Sequence, residues 1–295
     1  MLTRRTLLTG IGGAVTAGIV GHETVQVAFG APKVVEYAFA ISPTPKDKIR
    51  IALISDPHVV NPYSSLSAYD RIVDRANGLE PDLILLLGDY SGAHHHLKTS
   101  SVSMVDFGLS SKRLRAPMGR YAVLGNHDWS DDLVAHHAGL PPQAQRGLEQ
   151  SGIRVLRNEA IKLLLPSGRS TWLAGLDSLI WNPKQPGLSM ASLEQTFAPT
   201  MYDTDPVILM AHEPDSFALH HPRIGLQVSG HMHGGQVRVG PWLPGSLPSL
   251  YANRYLHGHI QEADQSLVVS GGLGFSRYPV RLGAPPEITL INLHL

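Results

Sequence analysis

The chain has no cysteine among its 295 residues. Without thiols it forms no disulfide bond, no thiolate metal site and no covalent cysteine intermediate, and its redox compartment is left open. An excess of one charge is also lacking, because 24 basic and 24 acidic residues balance to a formal net charge of zero. A neutral chain lacks the broad basic surface that binds nucleic acid through counterion release, so no nucleic-acid polymer is expected as a partner, although a nucleotide substrate is not excluded.

Long apolar runs are missing near the N-terminus. The uncharged stretch of residues 7–21 has 15 residues and several glycines, whereas a membrane-spanning helix needs ~20 mostly apolar residues. Arg4 and Arg5 precede this stretch, and residues 3–8 resemble a twin-arginine export signal. We therefore interpret residues 7–21 as the apolar core of a signal peptide.

This interpretation divides the chain into residues 1–30, a signal or anchor, and residues 31–295, one domain. Residues 28–30 suit signal cleavage, and an uncleaved anchor is the alternative. A cytosolic N-terminus with two chance arginines is the other alternative. Twin-arginine export would place the domain in the periplasm or on the outer face of the cytoplasmic membrane or cell wall. Peripheral or anchored membrane contact is then expected, and no protein partner is predicted.

The composition is that of a folded enzyme. With 43% hydrophobic and 16% charged residues, the chain can bury one large core, and 29 glycines and 22 prolines indicate many structured loops. Residues 42–45, which contain two prolines, are expected to form a turn within an N-terminal hairpin.

Five polar motifs each follow a short apolar run. The runs are rich in branched residues, which favours strands covered on both faces. In chain order they are residues 49–54, 83–87, 121–124, 207–210 and 226–228. The motifs that follow are Asp56-Pro57-His58, Gly88-Asp89, Gly125-Asn126-His127-Asp128, His212 and Gly230-His231-Met232-His233. Because open sheets bind ligands beyond their strand ends, these distant groups are expected to converge.

The spacing of apolar residues elsewhere in the chain predicts further helices and strands, as expected for an α/β fold. Residues 67–77 have apolar positions at helical spacing, and residues 192–197 are a weaker helix candidate. Further strands are expected at residues 154–156, 161–165, 171–176, 267–270 and 288–293.

The residue types of the five motifs indicate a metal site. Carboxylate oxygen, imidazole nitrogen and an amide oxygen are donors that hold divalent Mn, Fe or Zn. His231 and His233 are two residues apart, so an extended segment would place both rings on one side. Asn126 by itself could be a turn residue, but the His-Asp pair after it favours a ligand.

Together the motifs resemble the signature of the calcineurin-like metallophosphoesterases over roughly residues 48–295. The resemblance implies an α/β fold, a four-layer α-β-β-α sandwich of two mixed sheets with a dinuclear metal site at the C-terminal ends of strands. It places Asp56, His58, Asp89 and His233 on one metal. The other metal would be held by Asp89, Asn126, His212 and His231, so that Asp89 bridges the pair. It also implies that His127 lies beside the substrate phosphate and that Asp128 orients it.

The resemblance also narrows the function. Residues 230–237 resemble a bacterial branch of exported or membrane-associated phosphodiesterases. His58 and Gly92 depart from the purple acid phosphatases, which carry glycine and tyrosine at the matching positions. We therefore expect a phosphodiesterase that acts through a metal-bridging hydroxide on an envelope or lipid-linked phosphodiester. Two divalent ions are implied, with Mn favoured over Fe, Zn or Mg.

Two other functions remain open at this point. One is a pyrophosphate hydrolase of the UDP-2,3-diacylglucosamine type, since those enzymes share the signature. The other is a non-catalytic metal-binding envelope protein, which loss of a ligand or of His127 would favour, and no such loss is present.

Several other features have simpler interpretations. Residues 241–251, rich in proline and aromatic residues, could form an apolar rim to the site or a packed loop. The histidines at 94–96 are expected in a surface loop, and the glycine-rich residues 271–274 in a structural turn, because no phosphate-binding Lys-Ser/Thr follows.

Overall fold

The computed structural model describes residues 25–27, 30–92, 97–179, 191–238 and 247–295. Three predicted features fall wholly or partly elsewhere. The apolar N-terminal stretch and the histidines at 94–96 lie outside the described residues, as do residues 241–246 of the predicted rim.

The described residues form sixteen strands and six α-helices. The strands are β1 (Val25–Val27), β2 (Lys33–Ala40), β3 (Lys48–Ile54), β4 (Val60–Asn61), β5 (Leu83–Leu86), β6 (Ser100–Ser101), β7 (Arg120–Ala122), β8 (Arg154–Val155), β9 (Glu159–Leu164), β10 (Ser170–Gly175), β11 (Val207–Met210), β12 (Ile224–Ser229), β13 (Gly258–Glu262), β14 (Gln265–Val269), β15 (Val280–Leu282) and β16 (Glu287–His294). The helices are α1 (Leu66–Asn77), α2 (Met104–Ser111), α3 (Asn126–Ser130), α4 (Leu133–Ala138), α5 (Gln143–Gln150) and α6 (Leu193–Phe197).

Two six-stranded sheets dominate the fold. The first has the order β2-β16-β3-β5-β7-β8, and the second has the order β13-β14-β12-β11-β10-β9. Both are mixed: β3, β5, β7 and β8 run parallel while β16 runs antiparallel to β3, and β14, β12, β11 and β10 run parallel while β13 and β9 are antiparallel.

Alternation along the strands explains the layers. In β3, Ile49, Ile51 and Leu53 enter the core between the sheets, whereas Ala52 and Ile54 face a second core with α1, α2 and α5. Successive side chains of a strand point to opposite faces, so a strand that is apolar at every position must be covered on both sides. This is why the predicted strands lack a polar face.

The second sheet is covered in the same way. In β11, Ile208 and Met210 face the first sheet, and Val207 and Leu209 pack on the other side with Phe197 of α6. Helices therefore flank two stacked sheets, and the predicted α-β-β-α arrangement is confirmed.

The predicted N-terminal hairpin is wrong. Strands β2 and β3 are not neighbours, because β16 lies between them, parallel to β2 and antiparallel to β3. The connecting segment instead crosses the end of β16, where the backbone N–H groups of Lys46 and Asp47 both donate to the carbonyl oxygen of Leu295. The physical reason is that β16 is buried along almost its whole length and needs a strand on each edge.

Most other predicted elements are confirmed, with small shifts at their ends. The helix predicted at residues 67–77 is α1, capped by the Ser65 hydroxyl, and the weaker one at 192–197 is α6, capped by Ser192. The strand predicted at 121–124 ends earlier, at Ala122. Across the described segments, no helix has both the length and the apolar character needed to cross a bilayer.

Because β16 is an interior strand of the first sheet, paired on both edges, truncating one of its core side chains should be costly. Ile291 is fully buried between the sheets, and we expect Ile291→Ala to lower the free energy of unfolding by about 2–5 kcal/mol. Chemical denaturation measures this change. The exposed Leu164, 72% accessible, is the control, and Leu164→Ala should change stability by no more than about 0.5 kcal/mol. Equal, small effects would contradict the burial of β16 as an interior strand.

Candidate metal centre

The seven predicted ligands lie just beyond the C-terminal ends of five strands. Asp56 and His58 follow β3, Asp89 follows β5, Asn126 follows β7, His212 follows β11, and His231 and His233 follow β12. Three of these strands belong to the first sheet and two to the second. The site therefore spans the open end between the stacked sheets, and neither sheet alone can form it.

One group of ligand atoms comes from Asp56, His58 and His233. Their candidate ligand atoms all lie within 4.8 Å of one another. The Nε2 atoms of His58 and His233 are 3.2 Å apart, and Nε2 of His233 is 3.8 Å from Asp56 Oδ1. Two imidazole nitrogens and a carboxylate oxygen thus converge on one point.

A second group comes from Asp89, His212 and His231, again within 4.8 Å. Asp89 Oδ2 is 3.2 Å from His212 Nε2 in this group and 3.5 Å from His58 Nε2 in the first. Its carboxylate therefore lies between the two groups, which is the position the sequence predicts for a bridging ligand.

The backbone of the ligands is strained. Five of the seven adopt positive φ angles, namely Asp56 (52°), His58 (42°), Asp89 (56°), His231 (70°) and His233 (49°). Non-glycine residues rarely adopt this region, at a cost of about 1–3 kcal/mol each, and such strain clusters at functional sites. Tight turns after the strands thus aim the ligand side chains inward.

Two glycines allow the ligand turns to approach one another. A Cβ on Gly125 would lie 2.2 Å from Asp89 Oδ1, and one on Gly230 would lie 1.8 Å from Ser55 Oγ and 2.5 Å from Asp56 Oδ2. No side chain fits at either position. The glycines in these motifs therefore serve close packing of the ligand loops.

The outer nitrogens of three histidines face backbone carbonyl groups. His212 Nδ1 lies 2.6 Å from the carbonyl oxygen of Leu87, and His58 Nδ1 lies 3.1 Å from that of Ser91. His231 Nε2 lies 2.8 Å from the carbonyl oxygen of Pro248. A ring N–H donated to a carbonyl leaves the opposite nitrogen free as a ligand, so His58 and His212 present Nε2 and His231 presents Nδ1.

His233 has a different partner, the fully buried Arg281. The guanidinium of Arg281 lies 3.0 Å from His233 Nδ1 and donates to the carbonyl oxygens of His233, Gly271, Gly274 and Ala284. Burial lowers the pKa of Arg281 to about 10. Arg281 thereby fixes the last ligand and the glycine-rich turn together, and this turn is structural, as predicted.

Burial and neighbouring charges act on the ligands in opposite directions. Burial alone lowers the pKa of His212, but Asp89 and Asp56 outweigh it and raise the pKa well above its usual value. Burial, with the charges of His58 and Arg281, lowers the pKa of His233 well below its usual value. Burial likewise raises the pKa of Asp56. Carboxyl groups and imidazoles that lie this close together compete for protons. Each of them must lose its proton before it can bind a cation.

Asn126 provides an independent test of whether metals fit here. Its Oδ1 atom is buried and has no hydrogen-bond partner among the described residues. A buried polar atom without a partner is unfavourable unless something else satisfies it. Together with two carboxylates, four imidazoles and no thiolate, this oxygen suits a pair of divalent cations.

His127 lies on the open side of the ligand groups. Its ring is 5.1 Å from that of His58, centroid to centroid, and its side chain is 35% exposed. Its backbone N–H donates to Asp89 Oδ1 at 2.8 Å. Burial lowers its pKa, but the charges of Asp89 and Asp131 outweigh this and raise the pKa to about 9.

The predicted pairing of Asp128 with His127 is not present. The Asp128 carboxylate accepts hydrogen bonds from the backbone N–H groups of Asp89, Tyr90 and Gly125 at 2.8–2.9 Å. Asp128 is the third residue of α3, and its side chain turns back toward the helix start. The carboxylate that faces His127 is Asp131, one helical turn on, with Oδ1 3.5 Å from Nδ1.

Sequence reasoning also missed Gln236. Its side chain donates to the carbonyl oxygens of Tyr278 and Val280 and accepts from the N–H of Ser276. It thus ties the loop before β15 to the segment that follows His233. An i to i+4 spacing could have suggested Asp131, but no local signal identifies Gln236 or Arg281.

The chain is similar in sequence to known metallophosphoesterases. The family model of the calcineurin-like phosphoesterases matches residues 49–235, a range that includes all seven ligands. The chain is 29% identical to the protein named uncharacterized metallophosphoesterase YkuE of Bacillus subtilis, over 99% of this chain and 98% of that protein. It is 31% identical to phosphodiesterase YaeI of Escherichia coli, over 83% and 82%. A transmembrane protein with metallophosphoesterase domain of Danio rerio is 29% identical over 89% of this chain but only 57% of that protein.

The different positions of Asp128 and Asp131 predict different effects of substitution. Asp128→Asn replaces one of the two oxygens that accept from three backbone N–H groups with an amide nitrogen that cannot accept, so the free energy of unfolding should fall by about 2–3 kcal/mol. Asp131→Asn should leave stability within about 1 kcal/mol of the wild type, because it removes a single partly exposed contact. Asp131→Asn should instead slow turnover of substrates with poor leaving groups more than of nitrophenyl esters. Chemical denaturation measures the stability, and turnover of a series of esters with different leaving groups measures the second effect. If Asp128→Asn slowed the esters with poor leaving groups and Asp131→Asn did not, Asp128 would be the residue that orients His127.

If the unpartnered Oδ1 atom of Asn126 binds a cation, Asn126→Ala should weaken the binding of one of the two metals. We expect the affinity for that metal to fall at least about tenfold, since even outer-shell partners are worth about 10–100-fold. Metal content after dialysis should fall from two to one per chain. Asn126→Asp keeps an oxygen at this position and is the matched control, which should retain two. Equal metal content in all three proteins would exclude Asn126 as a ligand.

Proposed function

Because the chain belongs to the calcineurin-like phosphoesterase family and is a metal-dependent phosphoester hydrolase, we propose that it is a phosphodiesterase acting on an envelope or lipid-linked phosphodiester. The observation that carries this proposal is the pair of ligand groups that share Asp89, with His127 beside them. The name of the Escherichia coli relative, a phosphodiesterase, supports the same reaction.

Two bound divalent cations supply an activated water and neutralise charge on the phosphoryl oxygens. Asp56, His58 and His233 would hold one of them, and Asn126, His212 and His231 the other, with Asp89 between. The outer-nitrogen contacts of the histidines fix the rings before any cation binds. Preorganised rings need no rearrangement when charge develops during the reaction.

His127 is the residue that can move a proton. Its Nδ1 faces Asp131, so Nε2, on the other side of the ring, is available to the leaving oxygen. The carboxylate of Asp131 and that of Asp89 favour the protonated ring. A protonated imidazole can donate to the oxygen that departs, and this help matters most for a poor leaving group.

The five motifs that carry the ligands contain no lysine or arginine, which supports a diester over a monoester. A diester carries one negative charge, whereas a monoester carries up to two and gains more from a free cationic side chain. Arg281 contacts a ligand, but its donors are engaged by backbone carbonyls and by His233. Gly271 begins the adjacent turn and offers no side chain.

Manganese as the native metal and export by the twin-arginine route are parts of the same proposal. The nitrogen and oxygen donors suit Mn, and they would also accept Fe or Zn. Export rests on Arg4 and Arg5 and the uncharged residues 7–21. Transport in the folded state would let the protein load its metals before crossing.

The full chain in detergent, stripped of metal, provides the test. We expect it to be inactive, and Mn²⁺ should restore hydrolysis of bis(p-nitrophenyl) phosphate with a higher kcat/KM than for p-nitrophenyl phosphate. Asp89→Ala, which removes the shared carboxylate, is the control and should stay inactive at the same Mn²⁺ concentration. Protein that binds two metals yet hydrolyses neither ester would favour the pyrophosphate or non-catalytic alternatives.

A further inference from the structure

Four exposed side chains stand beside the metal centre, on the side of His231 and His233. They are Leu250 (76% accessible), Tyr251 (36%), Arg277 and Tyr278 (53%). Leu250 and Tyr251 belong to residues 241–251, the stretch for which the sequence suggests a rim, whereas the other two do not. From here on, the apolar rim means these four residues. Exposed leucine and tyrosine side chains together with a cation form the combination that membrane interfaces favour.

The first half of the apolar rim is held by ligand loops. The carbonyl oxygen of Pro248 lies 2.8 Å from Nε2 of the ligand His231. Two residues on, the N–H of Leu250 donates to Asp215, which follows the ligand His212 by three residues. The exposure of Leu250 is therefore fixed by the same loops that build the site.

The second half is held in the same way. Gln236, three residues after His233, binds the carbonyl oxygen of Tyr278 at 2.9 Å and the N–H of Ser276 at 2.8 Å. Arg277 and Tyr278 thus stand at a fixed place next to the last ligand. Fixed exposure of large apolar groups at a site is a mark of an interaction surface.

The path of the N-terminus indicates what this surface contacts. Strand β1 pairs with β15, in the register Val25 with Leu282 and Val27 with Val280. Strand β15 begins two residues after Tyr278, and its Leu282 N–H donates to the carbonyl oxygen of Gln236 at 2.9 Å. The chain therefore enters the fold beside the apolar rim.

The distance from β1 to the uncharged N-terminal stretch is short. That stretch ends at Gly21, four residues before Val25. Four residues span at most about 14 Å when fully extended. A bilayer that holds residues 7–21 would thus lie within about 14 Å of β1.

We propose that the apolar rim rests on the lipid bilayer that holds the chain's own N-terminal stretch, so that the metal centre opens toward the membrane surface and takes the phosphodiester of a membrane lipid. The occupant of the apolar rim is the bilayer interface, with Tyr251 and Tyr278 at headgroup level and Arg277 near lipid phosphates. The proposal requires that the N-terminal segment is retained, because cleavage at residues 28–30 would remove β1 from β15. Its substrate class rests on the proposed phosphodiesterase function, whereas the orientation does not.

The absence of cysteine makes the orientation directly measurable. Single cysteines at Leu250→Cys and Tyr278→Cys, in the full chain, can each carry an environment-sensitive NBD label. Leu164→Cys and Tyr202→Cys are the matched controls, because both side chains are exposed (72% and 104%) and lie near the opposite strand ends. The labelled proteins are reconstituted into vesicles of phosphatidylcholine and phosphatidylglycerol that contain a lipid-attached quencher.

The expected result is a blue-shifted emission and quenching by the lipid-attached group at positions 250 and 278 only. Equal, water-like emission at all four positions would overturn the proposal. A shift at 250 or 278 that appears without vesicles and grows with protein concentration would overturn it in favour of contact between two copies of the chain.

A second measurement addresses the substrate. The metal-loaded double variant L250S/Y278S is compared with L164S/Y202S, using phosphatidylglycerol in vesicles and bis(p-nitrophenyl) phosphate in solution. The ratio of lipid to soluble turnover should fall about tenfold or more in the rim variant, since large apolar side chains leave the interface, and should not change in the control. An unchanged ratio in the rim variant would overturn the lipid substrate. Wild-type protein inactive on both substrates would reject the phosphodiesterase function, while the label positions would still report the orientation.

Discussion

The carboxylate of Asp128 holds together two of the five loops that carry the metal ligands. It accepts hydrogen bonds from the N–H groups of Asp89 and Tyr90 in one loop and of Gly125 in the other. A buried donor left without a partner costs about 1–3 kcal/mol, and these three N–H groups lie in a buried place where water cannot replace the carboxylate. They fix the shared ligand Asp89 against the start of α3, which in turn places Asn126 and His127. A residue that resembles a catalytic group in the sequence is therefore the support of the groups that bind metal and substrate.

The rest of the centre follows from gathering polar groups at the end of two apolar sheets. Strands that are buried on both faces leave only their ends for polar side chains, and five such ends meet here. The ligands reach the centre by turning in the left-handed backbone region, and glycines without a Cβ let the turns come close. Carbonyl groups and Arg281 then fix the rings. These costs and contacts make sense together as a cage shaped in advance for cations, because a preformed cage avoids ordering its ligands when they bind.

The ligands and the layered fold could be predicted from the sequence, but the residues that hold the ligands in place could not. The ligand residues follow apolar runs in a fixed order, so their convergence could be predicted from strand-end geometry. The position of β16 could not, because its partner strands lie far earlier in the chain: Ile291 pairs with Tyr37, 254 residues earlier, and with Ile51, 240 residues earlier. Because β2 and β3 are close in sequence, the sequence predicts a hairpin, but the buried strand β16 lies between them. Arg281, Gln236 and Asp215 act through single long-range contacts that leave no periodicity, so no local pattern could reveal them. The mistaken role of Asp128 has the same origin: adjacency to His127 in sequence says little about which way a side chain points within a helix turn.

The position of β16 between β2 and β3 also governs when the first sheet can form. Among the described strands β16 is the last in the chain, yet β2 and β3 each need its edge to complete their hydrogen bonds. During synthesis, the first sheet therefore stays open until residues 287–294 have left the ribosome. Sheet closure between distant segments is slow, and exposed strand edges invite aggregation while it is pending. The metal centre, which needs both sheets, can thus form only after β16 has been synthesised.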